Sequence, residues 1–431
     1  MNIAVLGHGT RGDTQPLVAL ALELRRAGHT VRVAAPASLR EFIQTTGVEY
    51  VRLGGGDVRP LLDSDQGKRS LASGDAAAFV ASMRRLVHDE RAELNRDVGA
   101  ACEAADVIVS GLFWLDRAAC MAEKLDVPLL RVHIWPTGPT ADFPSLFLGT
   151  GNLTIGALNR LTHVLVARSA WKRKQDDINE WRRQLGLRPA SLPVELSRAA
   201  RAPIFQAWSR HLVPRPRDWG EEHLVTGAWR LPDDAKQALG ETPAPPELAE
   251  WMNEGPPPVF LGFGSMPVAE PDALVDMAGS LARHLPARIV VAVPSNHPSR
   301  PRPARNLFFV KAVDHAWLFP QCAALVHHGG AGTTATGAEA GVPALICSVL
   351  GDQPFWGRRL ERLGVGAHVP ISALSTKVLS GQLRRLLRDN VRARAQALGR
   401  ALQRENGLAE AVSAVHQHLA GSWKRASEQT V

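Results

Sequence analysis

Three short stretches of the sequence bring together side chains that can do chemistry. The first, GHGTRGDTQP (7–16), sets Asp13 behind a glycine-rich strand end and just ahead of Pro16, a residue suited to the first position of a helix. A carboxylate there accepts backbone N–H bonds and is favoured by the helix dipole, so it can be a cap and nothing else. In an open α/β sheet this crevice is also where ligands sit, which places Asp13 to take a proton from one. His8 is a second candidate for that task. The next stretch, AALVHHGGAGTTATGAEAGVP (323–343), reads as a buried strand, two histidines, a glycine turn and a short helix. Such a turn aims unpaired N–H groups and a positive dipole end outward, an arrangement suited to phosphate. His328 and the hydroxyls of Thr333 and Thr334 add donors beside Gly329, Gly330 and Gly332. A capped helix with one core histidine would explain a single His and Thr, but not HHGGAGTT together. Upstream, GFGSMP (262–267) is another strand-end turn, with Ser265 as donor. Downstream, GDQPFWG (351–357) pairs Asp352 with Gln353 and adds Trp356. A carboxylate, a carboxamide and an aromatic ring suit a sugar, the polar pair for its hydroxyls and the ring for its apolar face. Taken alone, Asp352 serves equally well as a cap.

Gly7, Gly9 and Gly12 also spell GxGxxG after the first strand. A dinucleotide site needs an acid about twenty residues on for the ribose. The second strand, VRVAAP, offers Arg32 and then Pro36, which counts against that reading and against a dinucleotide oxidoreductase.

The turns require strands behind them. Short apolar runs at 3–6, 31–34, 107–109 and 129–133 alternate with helical patterns, and the alternation restarts at 259–263, 289–293, 307–310, 324–327 and 344–348. Two doubly wound α/β domains follow: 1–215, then a proline-dense linker and domain edge at 216–258, then 259–380. A short strand around 224–226 is assignable to the second domain. The helical region 381–431 can pack back across the first domain.

With 431 residues, 45% apolar and 21% charged, the chain is long enough for two ordinary cores and is neither disordered nor a coiled coil. Its four cysteines are far apart and form no CxxC pair, so neither a disulfide framework nor a zinc site is expected, and a reducing, cytoplasmic setting is. The N-terminus turns glycine-rich after six residues and lacks the basic start of a signal peptide. The longest stretch without charge, 315–338, holds a proline, two adjacent histidines and four glycines, which a membrane-spanning helix would not carry. Net charge is +8, with lysine at only eight positions. The arginines are scattered and no aromatic-interleaved basic motif appears, so nucleic acid is not an expected partner. The charge leaves open an attraction to anionic substrates or to an acidic membrane surface.

GTRGDTQP (9–16), HHGGAGTT (327–334) and GDQPFWG (351–357), in this order, closely resemble the bacterial and sterol-type family 1 nucleotide-sugar glycosyltransferases. The resemblance covers nearly the whole chain and is strongest between about 307 and 366. It implies an α/β fold of two facing Rossmann-like domains, the B-type glycosyltransferase fold, with an interdomain cleft. It implies transfer of a hexose, chiefly glucose, with inversion from a UDP-sugar to a hydroxyl of a bulky apolar acceptor. No metal and no permanently bound cofactor are implied; the UDP-sugar, or a TDP-sugar, is a co-substrate. By position, His328, Gly329, Gly330, Gly332, Thr333 and Thr334 look like the diphosphate site, with Ser265 facing it. Asp352 and Gln353 look like the grip on the transferred sugar, with Trp356 beside them. Asp13 falls where many relatives have a catalytic histidine and where the glycopeptide and sterol branches have this aspartate. Many relatives hold the ribose with a glutamate where Thr336 stands here, which turns attention to Glu339 one turn on. The usual partner of a catalytic histidine would fall near Gly111, with only Asp116 close; an aspartate base needs no such partner. The layout of relatives also puts aromatic residues such as Phe79, Trp135, Phe143, Phe147 and Trp171 around the acceptor. Two other functions are weighed: a TDP-deoxysugar-dependent antibiotic glycosyltransferase, and a non-catalytic nucleotide-sugar-binding helper. The intact Asp13, His328 and Asp352–Gln353 set counts against the helper. The acceptor's identity and the oligomeric state are not written in these motifs.

Overall fold

The computed structural model describes residues 1–73, 75–148, 155–193, 202–240, 244–264, 271–293, 306–311 and 313–428. Among them the strands form two parallel sheets. The first holds β1 (Asn2–Leu6), β2 (Thr30–Ala35), β3 (Glu49–Arg52), β4 (Val107–Gly111), β5 (Leu129–His133), β6 (Ile204–Gln206) and β7 (His223–Val225), in the order β3-β2-β1-β4-β5-β6-β7. The second holds β8 (Val259–Leu261), β9 (Ile289–Ala292), β10 (Leu307–Val310), β11 (Ala324–His327), β12 (Ala344–Ser348) and β13 (Gly366–Pro370), in the order β10-β9-β8-β11-β12-β13. The central strands are apolar along their length because helices cover both faces of a parallel sheet. Strand order reverses beside β1, where β4 joins it, and beside β8, where β11 joins it. Those reversals leave a crevice outside the carboxyl ends of the strands, the standard place for a ligand in such sheets.

The chain divides into two compact units. The first comprises residues 1–59, 82–239 and 405–431; the second comprises 60–81 and 240–404. The strand near 224–226 belongs to the first unit, since β7 pairs in parallel with β6 and Leu224 packs on that unit's core. It falls inside the stretch expected as linker. Part of the proline-dense stretch starts a helix: Pro246 is the first residue of Pro246–Asn253, where its fixed φ suits the first turn. The C-terminal helical region is shared out, with residues up to 404 in the second unit. The helix Gly407–Glu428 packs on the helix Arg11–Arg26, and Ala411, Val415 and Leu419 are part of the first unit's core.

All four cysteines are buried free thiols, and burial pushes Cys102, Cys322 and Cys347 up to about 12. Among the described residues no helix is long and apolar enough to cross a membrane.

Candidate active site

In the first unit, β1 delivers the chain to Gly7, whose N–H donates to the Ala34 carbonyl at 2.8 Å. The helix then begins at Arg11, five residues before Pro16, with Thr10 as its N-cap. Asp13 is therefore inside the first turn. Its Oδ2 accepts from the Thr10 N–H at 2.8 Å and from the Thr10 hydroxyl at 3.0 Å. That threonine–acid pair outweighs Pro16, which sits within the helix and forgoes only the bond its missing N–H would have made to Gly12. The loop is closed by Thr14, whose hydroxyl accepts from the His8 N–H at 3.0 Å and donates to the His8 carbonyl at 2.8 Å. Gly9 has φ +67, and a Cβ there would lie 2.4 Å from Asp13 Oδ2, so only glycine lets the carboxylate fold back.

His8, Asp13, Leu17, Gly111, Leu112, Val132, Ile134 and Trp135 line one pocket at the β1–β4 reversal. The His8 ring is buried, packs edge-on against Phe113 at 4.7 Å and leaves its Nδ1 without a hydrogen-bond partner. Burial lowers its pKa, partly countered by Asp13, so the ring is neutral near pH 7. Gly111 keeps the space open, because a Cβ there would lie 2.5 Å from His8 Nε2. Asp116 is not part of the pocket; it is buried in the helix Leu115–Leu125 and paired with Lys174. Of the aromatics expected around an acceptor, Trp135 lines the pocket. Trp171 is core, Phe79 is buried in the segment that belongs to the second unit, Phe143 packs edge-on against His163, and Phe147 is exposed.

In the second unit the two histidines after β11 diverge. His327 is wholly buried, and its Nδ1 accepts from the Gly329 N–H at 3.1 Å, so it is the core histidine that braces the turn. His328 lies between two glycines of neighbouring strand ends. A Cβ on Gly264 would be 3.3 Å from its Cε1, and one on Gly330 would be 2.7 Å from its Nε2. Its Nδ1 is buried without a partner. Burial, reinforced by His315, lowers its pKa to about 4, so this ring too is neutral. The helix Ala331–Glu339 starts at Gly330 with no side-chain cap bond and no acid in its first turn. The Thr334 hydroxyl is buried and unpartnered, Thr333 is half-buried, and Gly332 has open space where a Cβ would go. Thr336 turns its hydroxyl back onto the Gly332 carbonyl at 3.0 Å. Glu339 is the last residue of the helix, ~12 Å along the axis from Ala331, so the structure does not bring it to the glycine turn. Ser265 lies outside the described residues.

Because β11 and β12 are parallel neighbours, the turn after β12 lies beside the turn after β11. A Cβ on Gly329 would be 3.4 Å from Gln353 Cβ. Gln353 Oε1 accepts from the N–H groups of Val349 at 2.7 Å and Leu350 at 3.2 Å. Two donors fix the oxygen inward, which turns the amide nitrogen the other way. Asp352 is the N-cap of the helix Gln353–Arg362, and its Oδ2 accepts from Trp356 Nε1 at 2.6 Å. Trp356 is buried, so its ring presents no face to a sugar; it anchors Asp352 instead. The sequence pattern did not show that anchoring, nor the grouping of His8, Phe113 and Trp135. The signal for the latter was Phe113 standing two residues beyond a strand-ending glycine.

The model of the glycosyltransferase family 28 N-terminal domain matches residues 3–143, and that of the erythromycin biosynthesis protein CIII-like C-terminal domain matches 277–415. The chain is 34% identical to a sterol 3-beta-glucosyltransferase of Arabidopsis thaliana, over 97% of this chain and 68% of the plant protein. It is also 34% identical to the O-mycaminosyltylonolide 6-deoxyallosyltransferase of Streptomyces fradiae, over 95% of this chain and 96% of that one. Among solved structures, the kitacinnamycin glycotransferase superposes with a TM-score of 0.71 at 19% identity, covering 97% of this chain and 98% of the other. The glycosyltransferase VinC in complex with dTDP gives 0.62 at 20% identity, covering 97% and 99%. The chain belongs to the nucleotide-sugar glycosyltransferase family that includes sterol glucosyltransferases and macrolide-antibiotic glycosyltransferases. It is a glycosyltransferase, and its two parallel sheets are those of the B-type glycosyltransferase fold.

Proposed function

We propose that this protein is an inverting hexosyltransferase that moves a sugar, glucose first among the candidates, from a UDP-sugar to a hydroxyl of a bulky apolar acceptor such as a natural-product aglycone or a sterol. The observation that carries the reading is the open helix start at Gly330–Thr334. It combines a first turn without acid, an unpartnered Thr334 hydroxyl and the neutral His328 ring. Such a site supplies donors and no competing anion, which is what a diphosphate requires. In this reading the turn N–H groups, His328, Thr333, Thr334 and Ser265 hold the diphosphate. Asp352 and the outward amide of Gln353 hold hydroxyls of the transferred sugar, and Trp356 steadies Asp352 from behind.

Asp13 is the proton acceptor. The acceptor oxygen bonds to the anomeric carbon as the bond from that carbon to the diphosphate oxygen breaks, and the acceptor's proton passes to the Asp13 carboxylate. A carboxylate is a weak base toward an alcohol, so transfer comes late, once the attacking oxygen has become acidic. The charge that leaves with the diphosphate meets N–H, hydroxyl and ring donors, which supply most of the barrier reduction, and the reading calls for no metal.

A second donor, a TDP-deoxysugar, is favoured by one finding: the equally similar Streptomyces relative, covered over 96% of its length, is by name a deoxyallosyltransferase. A matrix of UDP-glucose and TDP-sugars against apolar alcohols, read as nucleotide release with and without acceptor, separates the two. Release of neither nucleotide with any acceptor would sink both and leave a nucleotide-sugar-binding helper.

A further inference from the structure

The helix Gly156–Gln184 leaves an apolar stripe in water. One side of it is buried in the first unit through Asn159, His163, Trp171 and Ile178. On the opposite side Leu158, Leu161 and Leu165 face out, joined by Ile155 just ahead of the helix and by Phe147 and Leu148 in a short turn that packs against it. These six side chains are 42% to 58% exposed, and they are six of the nine large apolar side chains exposed among the described residues. Single exposed leucines are ordinary; a contiguous ridge of them marks a contact surface.

The charge around the ridge says what covers it. From 143 through 175 the sequence has no Asp or Glu, but it has Arg160, Arg168, Lys172, Arg173 and Lys174. Asp218 pairs with Arg160 and Asp116 with Lys174. Arg168, Lys172 and Arg173 are exposed and have no carboxylate partner among the described residues. At 3.6 residues per turn Arg168 and Lys172 continue the line of Leu158, Leu161 and Leu165. The pKa of Arg173 is lowered first by burial and then by the nearby Arg84, which adds a further cation to the flank. A second copy of the chain would have to set like charge against like charge here. An apolar band bordered by unpaired cations is what an interfacial helix presents to an anionic bilayer, leucines at the acyl boundary and cations among the headgroups.

We propose that this face is a docking surface for a bilayer containing anionic phospholipid. The claim stands apart from the donor site and from Asp13, and it shares only Phe147 with the aromatics expected around an acceptor. The test is co-sedimentation of the full chain with vesicles of phosphatidylglycerol and phosphatidylcholine, against phosphatidylcholine alone. The chain should pellet with the anionic vesicles and be released by about 0.5 M salt, where the Debye length is only a few Å. Leu161→Ser with Leu165→Ser should weaken pelleting by roughly tenfold or more, with melting temperature unchanged because both side chains are exposed. Arg168→Gln with Lys172→Gln should cost roughly tenfold on anionic vesicles and nothing on neutral ones. Absence of pelleting, or pelleting that survives both double variants, would overturn the proposal. So would a concentration-dependent dimer that Leu161→Glu dissolves. A ridge that formed the acceptor site instead would betray itself as a raised KM for a soluble acceptor with vesicles left unbound.

Discussion

At the end of β1 and at the end of β11 the chain makes the same move. A glycine with positive φ, Gly9 in one case and Gly329 in the other, leads into a helix whose first turn faces the strand reversal of its own sheet. In the first unit that turn is already filled: the Asp13 carboxylate occupies the positive end of the helix and the Thr14 hydroxyl closes the loop behind His8. In the second unit no side chain among the described residues caps it, and the Thr334 hydroxyl and His328 Nδ1 are left unpartnered there. A helix end that holds its own anion has little field to offer another, while an open one binds a phosphate readily. This explains why the GxGxxG spelling at Gly7, Gly9 and Gly12 makes no dinucleotide site, although its geometry resembles one.

The largest effect is expected from removing the acid that fills the first turn without disturbing the turn. Asp13→Asn keeps an oxygen to cap Thr10, so melting temperature and UDP affinity should hardly move while turnover on an aliphatic alcohol falls by roughly a hundred- to ten-thousandfold. Phenolic acceptors, which lose a proton more easily, should suffer less. Full turnover of the variant on an aliphatic alcohol would reduce Asp13 to a cap and pass the role to His8, which lines the same pocket.

Giving the second turn the acid that the first one has should close it. Gly332 has free space for a side chain, so Gly332→Asp should fold, melt no lower than the parent, and bind UDP on the order of a hundredfold more weakly through like-charge repulsion at a few Å. Unchanged UDP affinity by calorimetry would take the phosphate away from this turn. His328→Ala removes a donor and adds no charge; a loss of roughly a hundredfold in turnover is expected, by analogy with deleting one oxyanion donor.

A smaller effect should separate sugar from nucleotide. Asp352→Asn retains an oxygen for the Trp356 N–H, so the helix start survives. The variant should lose about tenfold in affinity for UDP-glucose and nothing for UDP, since a hydrogen bond to a sugar hydroxyl is all it changes. Equal losses for both ligands would make the residue a cap alone.

The smallest effect is a pH dependence that the two units should share unequally. His223 in the first unit and His328 in the second have pKa values lowered by burial to about 4, while the unfolded chain titrates near the ordinary histidine value. Between the two values the unfolded state binds more protons, so melting temperature should fall as pH drops from about 6.5 toward 4. Saturating UDP should blunt part of that fall, because a diphosphate beside His328 raises its pKa, and the part due to His223 and His133 should persist. Parallel curves with and without UDP would mean that no anion comes near His328.

How much of this could be read from the sequence depends on how local the cause was. Strands covered on both faces spell short apolar runs, so β1 was legible at 3–6 against an observed Asn2–Leu6. Glycines, histidines and threonines crowded at a strand end made the turn at 328–334 stand out. The helix start at Arg11 was hidden because Pro16 is a strong local signal, while the Thr10–Asp13 pair works only once the turn has formed. β7 was read into the wrong domain because three residues owe their strand to pairing with the edge of β6, which a run that short does not show by itself. Which way Trp356 faces, and how far Glu339 lies from the turn, are likewise set by packing and helix length.

The helix Gly407–Glu428 lies in the first unit's core, yet the ribosome makes it after the whole stretch Gly240–Arg404. Those 165 intervening residues take roughly 8 to 33 s to synthesise at ordinary elongation rates. For that interval the helix Arg11–Arg26 waits with its outer apolar side uncovered, while the second sheet has all its own strands and can close. The unit that emerges first is thus finished last, and one face of its first helix stays without its native cover until Ala411, Val415 and Leu419 arrive.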